Sequence, residues 1–447
     1  MRKAAKSPSS NIPRRQFIKD SSLLAAGLAA GFPSILARPQ ETIRVGLVGC
    51  GGRGTGAVLN VLQAKTEVIY PPPRQGYHTE NAAPGATARA QNVEVVALAD
   101  LFRDRLEQCR AQLKKVGTEI PENRCFVGFN AYQELISLPE INYVLLASPP
   151  YFRPAEFMAA VEAGKHVFLE KPIAVDAPGV RSVMEAGKLA EKKGLAVGAG
   201  TVRRHRLDQI ETIKRIHDGA IGDIREARAY FNIGEIWMIP REPGWNDVEW
   251  HIRNWPYFVW LSGDIIVEQH VHTLDMMNWA KNAHPVRAYG LGGRLARPSE
   301  EYGNIYDHFA IEYEYADGTR LYSQNRQIDG GTSRVGGTVV GTRGESNCEN
   351  VITGDREWRY QGEVPDPYEQ SHIHVIESIR AGKPINESQA IAESTLTAIM
   401  GREAAYTGQV IEWDQAFNSK MKLGPERLEF GDIEFPAVPM PKNHKFF

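Results

Sequence analysis

Thr42-Ile43-Arg44-Val45-Gly46-Leu47-Val48-Gly49-Cys50-Gly51-Gly52-Arg53-Gly54 decides the fold of this chain. The β-branched and apolar run over residues 42–48 predicts a buried strand. It enters Gly49-x-Gly51-x-x-Gly54 directly, and Ala57-Val58-Leu59-Asn60-Val61-Leu62 follows with helical character. Strand, glycine turn and helix in that order form a dinucleotide-binding unit. The first glycine permits the tight turn, the second lets backbone approach a pyrophosphate, and the third lets helix pack on strand. The helix N-terminus presents aligned N–H groups to the anion. Gly49, Gly51, Gly52, Arg53 and Gly54 are therefore the expected pyrophosphate contacts.

Such a unit needs a second strand ending in an acidic residue that grips the adenine ribose, about 20 residues on. Val93-Glu94-Val95-Val96-Ala97-Leu98-Ala99 ends in Asp100, much further along. Residues 65–92, with Pro71, Pro72, Pro73, Gly76, Pro84 and Gly85, have loop composition and are read as an insertion in the first crossover. Asp100 would accept from a ribose hydroxyl and repel a 2'-phosphate, favouring NAD over NADP, although Arg103 and Arg105 follow it closely. The bland alternative for Asp100 is a helix N-cap.

The βα rhythm continues. Residues 141–147 predict a buried strand leading into Ser148-Pro149-Pro150, and residues 154–164 a helix closed by Gly164. His166-Val167-Phe168-Leu169 predicts another strand, which stops on Glu170-Lys171-Pro172. A lysine at the carboxyl end of a parallel strand faces the crevice where ligands bind. Ser148, Pro149, Glu170 and Lys171 join the expected cofactor contacts. The reading is α/β: a Rossmann-type doubly wound parallel sheet over residues 42–200.

Beyond residue 200 the pattern changes. Residues 224–232, 286–292, 308–315, 320–325 and 338–341 read as strands, with a hairpin at Ala316-Asp317-Gly318. Helices are expected over 264–280, 368–381 and 388–407. These elements predict an α+β domain over 201–413 with an open, mainly antiparallel sheet, helices on one face and the other face outward. Residues 414–447 are expected to wrap the surface as irregular chain.

Composition narrows the function classes. The chain has 447 residues and a formal net charge of -2 from 52 basic and 54 acidic residues, with no basic stripe. Nucleic-acid binding is unsupported, and a small molecule is the expected partner. Cys50, Cys109, Cys125 and Cys348 form no CxxC pair and no metal spacing, so neither a disulfide framework nor a metal site is expected. Residues 1–37 are different in kind. Arg14-Arg15-Gln16-Phe17-Ile18-Lys19 precedes a weakly apolar run rich in Ala and Gly, too short for the roughly 20 residues of a spanning helix. This resembles the twin-arginine (Tat) signal, which an export receptor reads. The resemblance implies periplasmic placement. Cleavage after Ala37 would put Ile35 three positions before the cut, where a small residue is usual, so retention as a tether stays open.

Three passages together resemble the Gfo/Idh/MocA oxidoreductases: the glycine loop, the Glu170-Lys171-Pro172 triplet, and Gly263-Asp264-Ile265-Ile266-Val267-Glu268-Gln269-His270-Val271-His272-Thr273-Leu274-Asp275. In that family the lysine lies beside the nicotinamide and the substrate hydroxyl. The later helix carries an acidic residue and, four positions on, an acid-base histidine. Carried over by position, these are Lys171, Glu268 and His272. The chain departs from the pattern in having Glu at 268, where most members have Asp, and His at 270, where most have a small residue. The resemblance also implies a homo-oligomer formed through the second sheet.

The spacing makes separate chemical sense. Glu268 and His272 are an i,i+4 pair on one helix face, so the acid is expected to orient the imidazole, with Asp275 close to the same stripe. Oxidising a secondary alcohol needs a base for the hydroxyl proton and a cation for the developing alkoxide. His272 suits the first task and Lys171 the second. His270 and Asp275 are expected substrate contacts. So are Arg203 and His205, which close the run Val197-Gly198-Ala199-Gly200-Thr201-Val202-Arg203-Arg204-His205, read as a strand followed by three residues able to carry positive charge, and Trp245 and Arg253 from a tryptophan-rich stretch that suits the apolar faces and hydroxyls of a sugar. Three functions fit: a dehydrogenase of a sugar or polyol, a redox-neutral NAD-dependent glycosidase that borrows a hydride, and a non-catalytic sugar-binding protein. A nicotinamide cofactor is scarce outside the cytoplasm. The Tat route carries folded proteins, so a tightly bound cofactor is expected to travel with the chain.

Overall fold

In the computed structural model, which describes residues 42–446 apart from Pro73, the strand Ile43–Val48 lies inside a six-stranded sheet. Its order is Cys125–Val127, Val93–Asp100, Ile43–Val48, Tyr143–Leu146, His166–Leu169, Val197–Ala199, and every neighbouring pair is parallel. Helices cover both faces, so these strands can be apolar almost throughout, as Tyr143–Leu146 is. Each fully buried aliphatic side chain there stabilises the fold by about 1.5–3 kcal/mol. The strand order reverses between Ile43–Val48 and Tyr143–Leu146, which opens a crevice at their carboxyl ends.

The second sheet has nine strands. It is mainly antiparallel as expected, but Ile224–Ile233 runs parallel to Arg320–Gln327. The long excursion over residues 234–319 supplies the crossover that a parallel pair requires. Sequence reading missed three short strands at one edge, Gly344–Ser346, Val351–Gly354 and Trp358–Arg359, which are too brief to show alternation. The long helix Ser388–Thr407 is almost wholly buried and packs on the strand Pro285–Gly293 and on the helices Ala177–Lys192 and Val271–Lys281. The opposite sheet face carries exposed Tyr289, Leu291 and Tyr322.

Two expectations need correction. Residues 65–92 are not simply loop: Thr66–Ile69 and Thr79–Ala82 pair as an antiparallel hairpin. Its β-branched stretch Thr66-Glu67-Val68-Ile69 was the signal, overshadowed by the prolines at its tip. The helix expected over 264–280 is interrupted: Ile265–Glu268 and Val271–Lys281 flank a break at Gln269-His270.

The tail expected to be irregular from 414 begins instead with a helix, Trp413–Asn418, and is irregular and held to the body beyond it. Its carbonyls at Pro436 and Pro439 accept from Asn304 and Tyr306, and His444 bonds Glu403 at 2.6 Å. The four cysteines are buried and free. No helix among the described residues is long and apolar enough to cross a membrane, and the Tat-like segment lies outside the described residues.

Candidate active site

The glycine loop is explained position by position by what a Cβ would meet. Gly49 has φ of +91° and sits against the backbone of Ala147 and Ser148. At Gly54 a Cβ would come 1.8 Å from the Gly49 carbonyl, so helix and strand can pack only with glycine there. Gly51 has nothing within 4 Å and faces open cleft. This is the geometry a dinucleotide needs: space over Gly51 and the N-terminus of the helix Gly52–Val61 behind it. Gly51→Ala is expected to fold with unchanged stability, because φ is -67° there, and to lower NAD affinity at least tenfold, about 1.4 kcal/mol. Gly54→Ala is expected to lose stability itself. Thermal melts with and without NAD separate the two.

Asp100 ends its strand beside this loop, accepting from the backbone N–H of Cys50 (2.6 Å) and of Phe102 (2.8 Å). The following helix, Arg103–Lys115, starts after Phe102, so Asp100 is not its N-cap. Burial pushes the carboxyl up to about 6, against the pull of those two N–H groups. The ionised form is the one that accepts from ribose hydroxyls. Below about pH 6 a proton must leave before the ribose is gripped, so NAD affinity should fall up to roughly tenfold per unit of pH and be flat above it. Titration calorimetry over that range checks the sign. Of the two following arginines, Arg103 points away, paired with Glu122 at 2.8 Å, while Arg105 lines the cleft and stacks on the Tyr77 ring at 3.2 Å.

Next along the crevice, Ser148 Oγ donates to Glu156, whose carboxyl burial raises to about 7, and Pro149 lines the same wall. Arg153 is buried beneath the triplet. Its guanidinium donates to the carbonyls of Glu170 (3.0 Å) and Pro172, fixing the backbone on both sides of Lys171. Sequence reading missed this role, because an arginine in a helix first turn gives no sign of what lies above it. Glu170 points back to Arg53, with Nε 3.3 Å from Oε1, and Arg53 also holds Glu80 of the hairpin at 2.6 Å.

Lys171 Nζ donates to the Glu268 carbonyl (2.7 Å) and to its carboxylate (2.8 Å). The acid therefore serves the lysine. The expectation that Glu268 orients His272 is corrected: the helix break separates the pair, and the nearer cation takes the carboxylate. His272 lines the same cavity as Lys171 and Glu268. Burial, then the charges of Lys171 and Arg203, hold its imidazole well below the usual value, which leaves the ring neutral.

Several expected substrate contacts lie elsewhere. His270 is fully buried, its ring bonded to Ser323 (2.6 Å) and Thr273 (2.6 Å), and this anchoring sits at the helix break. Asp275 takes a bidentate bond from Arg204 and one from Ser394 (2.8 Å). Arg203 pairs with Glu349 at 2.8 Å, and His205 is buried between His374 and Glu387. None of these four lines the cavity. Polar residues after a strand look alike in sequence whether they face a ligand or a partner in the core. Arg253 does line the cavity, pinned by Asp104 (3.0 Å), with Trp245 packed against it outside the cavity. The hairpin adds Tyr70, Tyr77, His78 and Glu80 to the lining, and Tyr368 adds a ring under Arg53.

The architecture and this cleft coincide with what comparison with known proteins finds. The description "Oxidoreductase family, NAD-binding Rossmann fold" matches residues 43–201, and "GFO/IDH/MocA C-terminal domain" matches 211–346. The chain belongs to the Gfo/Idh/MocA oxidoreductase family. An inositol 2-dehydrogenase of Rubrobacter xylanophilus is 25% identical over 68% of this Gfo/Idh/MocA chain and 71% of its own length. A glycosyl hydrolase family 109 protein of Solibacter usitatus is 22% identical over 49% of this chain and 45% of its own. Matches to the first curated relatives span between 39 and 58% of their lengths. Among solved structures, scyllo-inositol dehydrogenase of Lactobacillus casei with NAD(H) and scyllo-inositol shares the fold, with a TM-score of 0.60 at 17% identity, covering 84% of this chain and 100% of that one.

Proposed function

We propose that this protein is an NAD-dependent oxidoreductase of a sugar, sugar derivative or polyol that keeps its cofactor bound, with NADP disfavoured by Asp100. The observation that carries the reading is one cavity lined by Gly51, Asp100, Lys171, Glu268 and His272, so that dinucleotide loop and proton-handling groups share a single space. When bound, the nicotinamide accepts the hydrogen that leaves a substrate carbon with its electron pair. The chain's own residues do the rest. His272 takes the hydroxyl proton, Lys171 stabilises the negative oxygen, and Glu268 and Arg153 hold the ammonium in place.

A second reading is the redox-neutral glycosidase, favoured by the likeness to a family 109 protein and by the scarcity of NAD outside the cytoplasm. A non-catalytic sugar-binding protein would have no use for the Lys171–Glu268 pair. Export through the Tat machinery to the periplasm and assembly through the outward sheet face belong to the same proposal, the latter supported by the exposed Tyr289, Leu291 and Tyr322. The test is turnover on a panel of cyclitols, free sugars and p-nitrophenyl glycosides by the protein as purified, without added NAD. Turnover supports the reading, and inertness even with millimolar NAD overturns it.

A further inference from the structure

The hairpin insert brings a second histidine into the cleft, near enough to Glu268 and Lys171 for their charges to act on its ring. Of the histidines in the described residues, His78 and His272 alone line the cavity that holds Lys171 and Glu268. The placement is built, not incidental. A Cβ at Gly52 would fall 2.2 Å from the His78 carbonyl, and one at Gly56 would fall 1.8 Å from Glu80 Oε2. These two glycines, one helical turn apart, form a groove in which residues 78–80 lie. This accounts for glycine at positions the pyrophosphate does not require. Glu80 is then locked to Arg53, and Arg53 to Glu170, the neighbour of Lys171. Across the cleft, Gly76 pairs with Met238 and Arg74 with Glu301 at 3.2 Å, so both domains hold the hairpin. The His78 ring is half-buried between Tyr70 and Trp237, with ring centroids 5.8 and 6.2 Å away.

We propose that His78 is a second catalytic proton carrier, serving a step that His272 does not. The inference rests on the proposed oxidation of a sugar and selects its redox-neutral form. Oxidation of a ring hydroxyl leaves a carbonyl and acidifies the adjacent C–H. His78 takes that proton, and the freed electron pair forms a C=C bond as the C–O bond to the leaving group breaks. The departing oxygen then takes the proton back from the imidazolium. One proton moves from carbon to oxygen and no external oxidant is consumed. Water then adds across the double bond and the borrowed electron pair returns. A plain dehydrogenase needs one proton carrier, whereas this sequence needs two. Burial holds the His78 imidazole at about 4, so the ring is neutral before the step.

The test uses the full chain, wild type and His78→Gln, with a p-nitrophenyl glycoside that the wild type cleaves. His78→Gln should keep wild-type NAD content and still reduce bound NAD when substrate is added. Deuterium uptake from D2O at the adjacent carbon and nitrophenol release should both fall about 10²–10⁴-fold. Deuterium uptake and cleavage at wild-type rates would overturn the proposal. Loss of NAD in both His78→Gln and His78→Asn would do so too, by making His78 a support of the cofactor site. Wild-type oxidation without deuterium uptake would remove the step and the proposal while leaving the oxidoreductase standing. A wild type that neither holds NAD nor oxidises any sugar would overturn the proposed function itself.

Discussion

Replacing Lys171 with alanine should lower turnover by about 10²–10³-fold while leaving NAD content unchanged. The ammonium lines the same cavity as His272, where the alkoxide is expected to form. It is held by two bonds from Nζ to Glu268, and its backbone is clamped from below by Arg153. Lys171 is one expected cofactor contact among many, and the glycine loop and Asp100 do not depend on it, so the cofactor stays. His272→Ala should cost a comparable or larger factor, about 10²–10⁴-fold, because it removes the base for the hydroxyl proton. Stopped-flow measurement of NAD reduction after mixing with substrate checks both. Unchanged kinetics in either variant would remove that residue from the mechanism.

The second large effect is on stability. Arg402 is fully buried in the helix Ser388–Thr407 and pairs with equally buried Glu403. It also donates to the carbonyls of Val175 (2.8 Å) and Gly263 (3.1 Å). Gly263 and Asp264 both have positive φ, +78° and +79°, and make the sharp turn that leads into Glu268. Asp264 holds the turn by accepting from the N–H of Tyr306 (2.8 Å) and from the Tyr406 hydroxyl. Arg402→Ala leaves the Glu403 charge buried without its guanidinium and frees two carbonyls, at a cost of about 3–5 kcal/mol. Denaturant unfolding measures it. Glu403 also receives His444 from the tail, so this one cluster ties the C-terminal segment to the element bearing Glu268, the carboxylate that positions Lys171.

What the sequence made legible was what is local. Strand, glycine turn and helix over residues 42–62 follow from periodicity and from three glycines with separate steric jobs, and Asp100 and Lys171 from their places at strand ends. The alternation in 308–315 and 320–325 announced the second sheet. Long-range placement was not legible. Nothing near His270 in sequence says that Ser323 will bond its ring, and nothing near Asp275 announces Arg204. Likewise the i,i+4 spacing of Glu268 and His272 presumes an unbroken helix, and the break at Gln269-His270 gives the carboxylate to a lysine 97 residues away. The hairpin was hidden by its own prolines, yet the second glycine pair, Gly52 and Gly56, was its imprint on the helix below.

The proposed mechanism requires a dinucleotide resident in the cleft above Gly51. The direct measurement is to purify the full chain, dialyse it, denature it and assay the supernatant. About one NAD per chain is the predicted result. A chain that is empty after purification and binds no NAD at millimolar concentration would contradict it.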